Sequence, residues 1–145
     1  MTTVIRHDQT VSASDTDYRI TGRHVHNVQF IHGSGDKIMN LADNVAISLV
    51  ETVGATITDH ARDMRINIDP FSLQTTVIGL RGDADIWMTT GTFTSIGEIA
   101  KALQVVPGFG TVLYPQIMGP HVMEFPGAYD VKPSQFHLVP YSPVG

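Results

Sequence analysis

The sequence predicts a mainly β domain, sandwich or barrel-like, with one or two short helices and a long, extended, proline-rich C-terminal arm. Three observations lead there. Apolar and polar residues alternate with period two along much of residues 1–106, the pattern of half-buried strands. Threonines gather at positions 75, 76, 89, 90, 92 and 94, and β-branched side chains suit a pleated surface. Seven of the eight prolines, six of the eleven aromatic residues and only three charged residues fall in 107–145. The division is therefore a β-rich body, 1–106, and an apolar, proline- and aromatic-rich arm of the same domain, 107–145.

The body reads in order. Tyr18–Ile20 and Val25–Ile31 form an early strand pair. Val45, Ile47 and Leu49 alternate with Ala46 and Ser48, and Val53, Ala55 and Ile57 continue the phase. Met64, Ile66 and Ile68 alternate with Arg65, Asn67 and Asp69. The polar run Asp59–Asp63 between these sets predicts a hairpin over 53–69. Val77–Leu80 and Ile86–Phe93, around Arg81–Asp85, predict a second. Thr94 or Ser95 as N-cap, with Glu98 three residues after Ser95, predicts a short helix over 96–105 ending before Pro107. Residues 36–51 fit a helix through Ile38, Leu41, Ala42, Val45 and Leu49, while 45–49 also fit a strand. No internal repeat stands out. In the arm, a proline every five to eight residues argues against a helix or a central strand, yet the segment is too apolar for a disordered tail.

His32-Gly-Ser-Gly35, Leu41-Ala-Asp43 and Gly91-Thr-Phe93 resemble short motifs of the hotdog-fold acyl-CoA thioesterases. That resemblance implies an α+β alternative, with a helix from about residue 36, amides of Gly33 or Gly35 polarising a thioester carbonyl, and Asp36 or Asp43 as base. The short span from Asp43 to Gly91 and the proline-rich tail depart from that pattern.

Composition excludes several chemistries. The chain has 145 residues and no cysteine, which rules out disulfides, thiolate metal sites and cysteine nucleophiles. Charged residues make up 16%, against roughly 25% in an average domain. The net charge is −5, and no basic stripe suited to phosphate backbones is present, so nucleic-acid binding is not expected. No apolar run reaches the roughly 18 residues of a membrane span, and the N-terminus lacks a signal-peptide pattern. Neither membrane association nor a cofactor is expected, and synthesis is placed in the cytoplasm with a virion as a destination. Lysine occurs only at 37, 101 and 132, which suits a surface partly covered by other subunits.

The candidate chemistry is sparse. His24-Val-His26 on a strand presents two imidazoles to one face, the start of a metal site or histidine-lined pocket that His7, His32, His60 or a carboxylate would complete. The acidic turns at 12–17, 59–63 and 83–85 serve turn geometry, lacking the dense spacing that calcium requires. Arg81-Gly-Asp83 reads as a turn. No P-loop, dinucleotide fingerprint, G-x-S-x-G or H-E-x-x-H motif occurs. The leading expectation is therefore a self-assembling structural subunit, such as a capsid, tail or decoration component of a virus or phage particle. Its partners are copies of itself, and Phe109, Tyr114, Phe125, Tyr129, Phe136 and Tyr141 are the expected contacts. The alternatives are a small enzyme built on His24, His26, His32, Asp36 and Asp43, and a binding or adhesin-type β module.

Overall fold

The computed structural model describes residues 2–69, 71–79, 84–89, 103–106, 116–119, 122–124 and 135–139. Among them the chain is mainly β, but the strands form neither a sandwich of antiparallel hairpins nor a barrel. From Thr2–Ile5 to Leu103–Val106 successive strands alternate between two sheets in a parallel, β-solenoid-like stack. One sheet (sheet A) takes β1 (Thr2–Ile5), β3 (Asp17–Ile20), β5 (Lys37–Asn40), β7 (Thr56–Asp59), β9 (Thr75–Ile78) and β11 (Leu103–Val106). The other (sheet B) takes β2 (Gln9–Val11), β4 (Asn27–Ile31), β6 (Ala46–Val50), β8 (Arg65–Ile68) and β10 (Asp85–Thr89). Sheet B continues through β14 (Phe136–Val139) and β13 (Val122–Glu124) to β12 (Gln116–Gly119), and these three lie in one sheet and pair antiparallel with one another.

Pairing partners lie one coil apart rather than one turn apart. Val28, Ile47, Ile66 and Ile86 stand in register across sheet B, at steps of 19, 19 and 20 residues. Ile38, Ile57 and Val77 do the same in sheet A, at steps of 19 and 20. These columns, with Phe30, Leu49, Ile68 and Met88, form one core between the sheets. Tyr18 and Phe30 meet edge to face across it, with ring centroids 5.1 Å apart. The expected buried faces at 45–49 and 64–68 are therefore right, with Val45, Ile47, Leu49, Met64, Ile66 and Ile68 all buried.

The expected connections are not. The turn after Asp59 does not fold back as a hairpin; it carries the chain around the end of the core into the opposite sheet. Ala61 and Met64 are buried there, as are Ala42 and Val45 one coil earlier. Each turn opens with an Asx bond: Asn40 Oδ1 accepts the Ala42 N–H at 3.3 Å, and Asp59 Oδ1 accepts the Ala61 N–H at 3.1 Å. Each also places Asn44 or Asp63 in the left-handed region, which these residues tolerate better than most. The segments on either side of 81–85 likewise belong to different sheets, as do β3 and β4.

The helix considered over 36–51 is replaced by β5 and β6, so the α+β hotdog-like alternative does not describe this region. Leu41, which that helix would bury, is 40% exposed. In the helix expected over 96–105, residues 96–102 lie outside the described residues. Leu103–Val106 is strand, with Leu103 and Val105 buried and Gln104 between them half-buried. In the C-terminal segment, β14 pairs in parallel with β10 and so is an interior strand of sheet B. It lies between Pro133 and Pro140, so proline does not interrupt its ladder. The buried Gln135 donates its side-chain amide to the Ala84 carbonyl at 2.9 Å.

The coil register has a direct test. Thr58 and Ile78 are register partners on the outer face of sheet A. The chain has no cysteine to compete, so Thr58→Cys/Ile78→Cys is expected to form one intramolecular disulfide on mild oxidation. Non-reducing electrophoresis and peptide mapping check it. Failure to crosslink, with an efficient Thr58→Cys/Met64→Cys bridge instead, would restore the hairpin.

Candidate functional site

The histidine and carboxylate candidates are divided between two corners of the coil. His24 and His26 lie not on a strand but in the turn leading to β4, both exposed, with Val25 buried between them. His24 stacks loosely on His7, with ring centroids 6.4 Å apart. The main-chain N–H groups of His26 and Asn27 donate to Asp8 Oδ1 at 2.6 and 2.9 Å. Those two bonds hold the Asp8 carboxyl below its ordinary value. Asp43 has a similar structural role two coils later, accepting the Arg62 N–H at 2.9 Å. Among the described residues no group of three or more His, Asp or Glu is placed to hold a metal.

His32 and Asp36 occupy the other corner. His32 and Glu51 fall at positive φ in successive coils, and His32 Nδ1 lies 2.9 Å from Glu51 Oε2. The Glu51 N–H donates in turn to Asp69 Oδ2 at 3.0 Å. This exposed chain links three coils. Asp36 is 1% exposed: its Oδ1 accepts the Thr16 N–H at 3.1 Å, while Oδ2 has no partner. Burial, together with the neighbouring Asp15 carboxylate, pushes the Asp36 carboxyl above its ordinary value; the Thr16 bond opposes this. A side chain at Gly33 would collide with Asp36 Oδ2 and the Ala13 carbonyl, so residue 33 must be glycine for the carboxyl to fit. Lys37–Asn40 follows as a strand, so no helix N-terminus faces these amides and the thioester geometry is missing. The Tyr18 hydroxyl, also buried, is raised by the same loss of water.

The surfaces with room for a partner are the outer faces of the two sheets, which the sequence reading did not single out. On sheet A, Val4, Arg19, Met39, Thr58 and Ile78 stand in one register column. Val4, Met39 and Ile78 are 45%, 37% and 37% exposed. A groove of about 400 Å³ runs beside them, lined by Asp17, Arg19, Lys37, Met39 and Thr56 among others. On sheet B the column is Thr10, Gln29, Ser48, Asn67, Trp87 and His137. A more polar groove of about 450 Å³ lies at its β2 end. Of the expected contact aromatics, Phe136 pairs through its backbone within its own chain, opposite Ile86. Phe109, Tyr114, Phe125, Tyr129 and Tyr141 lie outside the described residues.

No helix of the described residues is long and apolar enough to cross a membrane. No family model, no curated protein and no solved structure matches the chain. The fold therefore defines the class, a parallel β-solenoid-like stack whose central coils are about 19–20 residues long.

Proposed function

We propose that this chain is a self-associating structural subunit of a symmetric assembly, of the kind that builds a virus or phage particle. The observation that carries the reading is the outer face of sheet A. It presents Val4, Met39 and Ile78, alternating with Arg19 and Thr58, in a single column on a stack whose register leaves little freedom to rearrange. Exposed apolar side chains on an ordered sheet suit a lateral contact, and lysine is scarce along the chain. The first coil disfavours end-to-end stacking instead. Its core columns begin with Thr3 and Gln9, polar and exposed, where the next coil has Tyr18 and Val28.

Light scattering over a range of concentrations tests the proposal. A defined homo-oligomer is expected, and Met39→Asp/Ile78→Asp is expected to shift it to monomer with the circular dichroism unchanged. A wild-type chain that is monomeric throughout, or an oligomer indifferent to both charges, overturns the reading. Deleting 126–145 is a poor substitute, because it removes β14 and bares the β10 edge.

A further inference from the structure

We propose that the outer face of sheet B is a saccharide-binding groove that takes a neutral, polyhydroxylated chain lying along the solenoid axis. The proposal uses the face opposite the Val4, Met39 and Ile78 column of sheet A and does not depend on self-association.

The strands themselves dictate the array. Val28, Phe30, Ile47, Leu49, Ile66, Ile68, Ile86 and Met88 point into the core, so the residues between them must point out. Those residues are Gln29, Ser48, Asn67 and Trp87, held in register from coil to coil. Adjacent strands lie roughly 4.7–4.9 Å apart. The result is an evenly spaced row of amides and hydroxyls along the axis. Each of these groups can both donate and accept, as a sugar hydroxyl does.

The row has a depression in it. Ala46 and Ser48 are small side chains, and they sit between Asn27 and Gln29 on one side and Arg65 and Asn67 on the other. From Ser48 a groove opens towards the β2 end of the sheet, lined by Asp8, Gln9, Thr10, Asn27, Gln29 and Ser48. Its volume, about 450 Å³, falls in the ordinary range of small-ligand sites. None of the six is apolar, which excludes a lipid or an apolar peptide and favours a ligand made of hydroxyls.

Charge decides between sugar classes. Asp8 is the one charged residue in the groove lining; its lowered carboxyl is ionised at neutral pH and repels a uronate, sialate or phosphate. Farther along, Arg65 and Asp85 are register partners and offset one another. A neutral chain fits this balance.

The array is also held in place before any ligand arrives. Arg65 Nε donates to Asn67 Oδ1 at 3.0 Å, and Asn67 Nδ2 donates to Ser48 Oγ at 3.3 Å. The Arg65 guanidinium lies 4.5 Å from the Trp87 ring centre. His137 stacks on the same indole with centroids 4.0 Å apart and planes at 12°. Side chains fixed in this way lose little freedom on binding. Trp87 is the one tryptophan of the chain, so its emission reports events along this column.

The test combines a glycan array with calorimetric and tryptophan-emission titrations using maltohexaose, cellohexaose, chitohexaose and an acidic hexagalacturonate. Saturable binding of a neutral glycan is expected, at least tenfold tighter for the hexasaccharide than for its monosaccharide. Gln29→Ala is expected to weaken it about tenfold, the loss of a typical pair of hydrogen bonds. Ser48→Phe fills the depression from an outward-facing position and is expected to abolish binding with the circular dichroism intact. The proposal is overturned by an array with no neutral ligand, by binding confined to acidic glycans, or by neutral-glycan binding that Ser48→Phe leaves unchanged.

Discussion

Replacing Ile66 with alanine is expected to destabilise the protein by about 2–5 kcal/mol, the range for a fully buried large-to-small change. Ile66 is 0% exposed, and it stacks between Ile47 and Ile86, so the cavity has no solvent into which to open. Asn67→Ala, one residue along on the outer face, is expected to cost about 1 kcal/mol or less. The solenoid adds a sharper expectation. Ile47 and Ile66 are direct stacking neighbours, so Ile47→Ala/Ile66→Ala shares one cavity and departs from additivity. Ile66→Ala combined with Leu103→Ala, on a distant sheet A strand, adds simply. Urea titrations of the single and double variants measure both. Strict additivity for 47 with 66 would contradict the register.

Asp36→Asn is expected to stabilise the protein at neutral pH by about 1–3 kcal/mol, because it removes the cost of holding an ionised carboxylate in a buried site beside Asp15. Thr16, Asp15 and Tyr18 surround this carboxyl, and none supplies a positive charge. Its value in the fold is therefore raised above the ordinary 3.8. The sign follows from linkage. A carboxyl raised by folding contributes its stability in full below the unfolded value, and that contribution is lost as pH rises through the folded value. The wild type should thus match Asp36→Asn near pH 3.5 and fall behind it towards pH 7. Asparagine keeps an oxygen for the Thr16 N–H and never ionises. Denaturation of both proteins across this range checks the prediction. A constant difference, or a wild type more stable than the variant at pH 7, would show that the carboxylate has a partner in solution.

The extent to which the fold was legible is clear from particular residues. Val45, Ile47 and Leu49, and Met64, Ile66 and Ile68, announce their faces by alternation, and the structure buries all six. The same alternation fails at Val53, which continues the phase yet is 37% exposed, because Glu51 and Gly54 turn the chain at positive φ on either side of it and Thr52 is buried in its place. The repeat was hidden for a similar reason. Val28, Ile47 and Ile66 share a column, but the corners between them have little sequence in common: His32-Gly-Ser-Gly35 occupies one, Glu51-Thr-Val-Gly54 the next. Recurrence of Ile or Val at steps of 19 and 20, with Asn40 and Asp59 one coil apart, was the signal available to find it.

The candidate site was less legible. The histidines drew attention because imidazole is chemically distinctive, yet His24 and His26 are exposed in a turn and His32 pairs with Glu51. Gln29, Ser48, Asn67 and Trp87 are unremarkable singly, and only the stacking of β4, β6, β8 and β10 makes them a row.

By itself, then, the sequence determined that the chain is β, which side chains of its clearest strands are buried, and which chemistries its composition forbids. The tertiary structure decided which strand pairs with which, and with that which polar residues lie side by side. The physical reason is that a period of two fixes the face of a strand relative to the core, whichever neighbour supplies its hydrogen bonds. The choice of a neighbour 19 or 20 residues away depends instead on corners that route the chain around the core, such as those at Asn40 and Asp59.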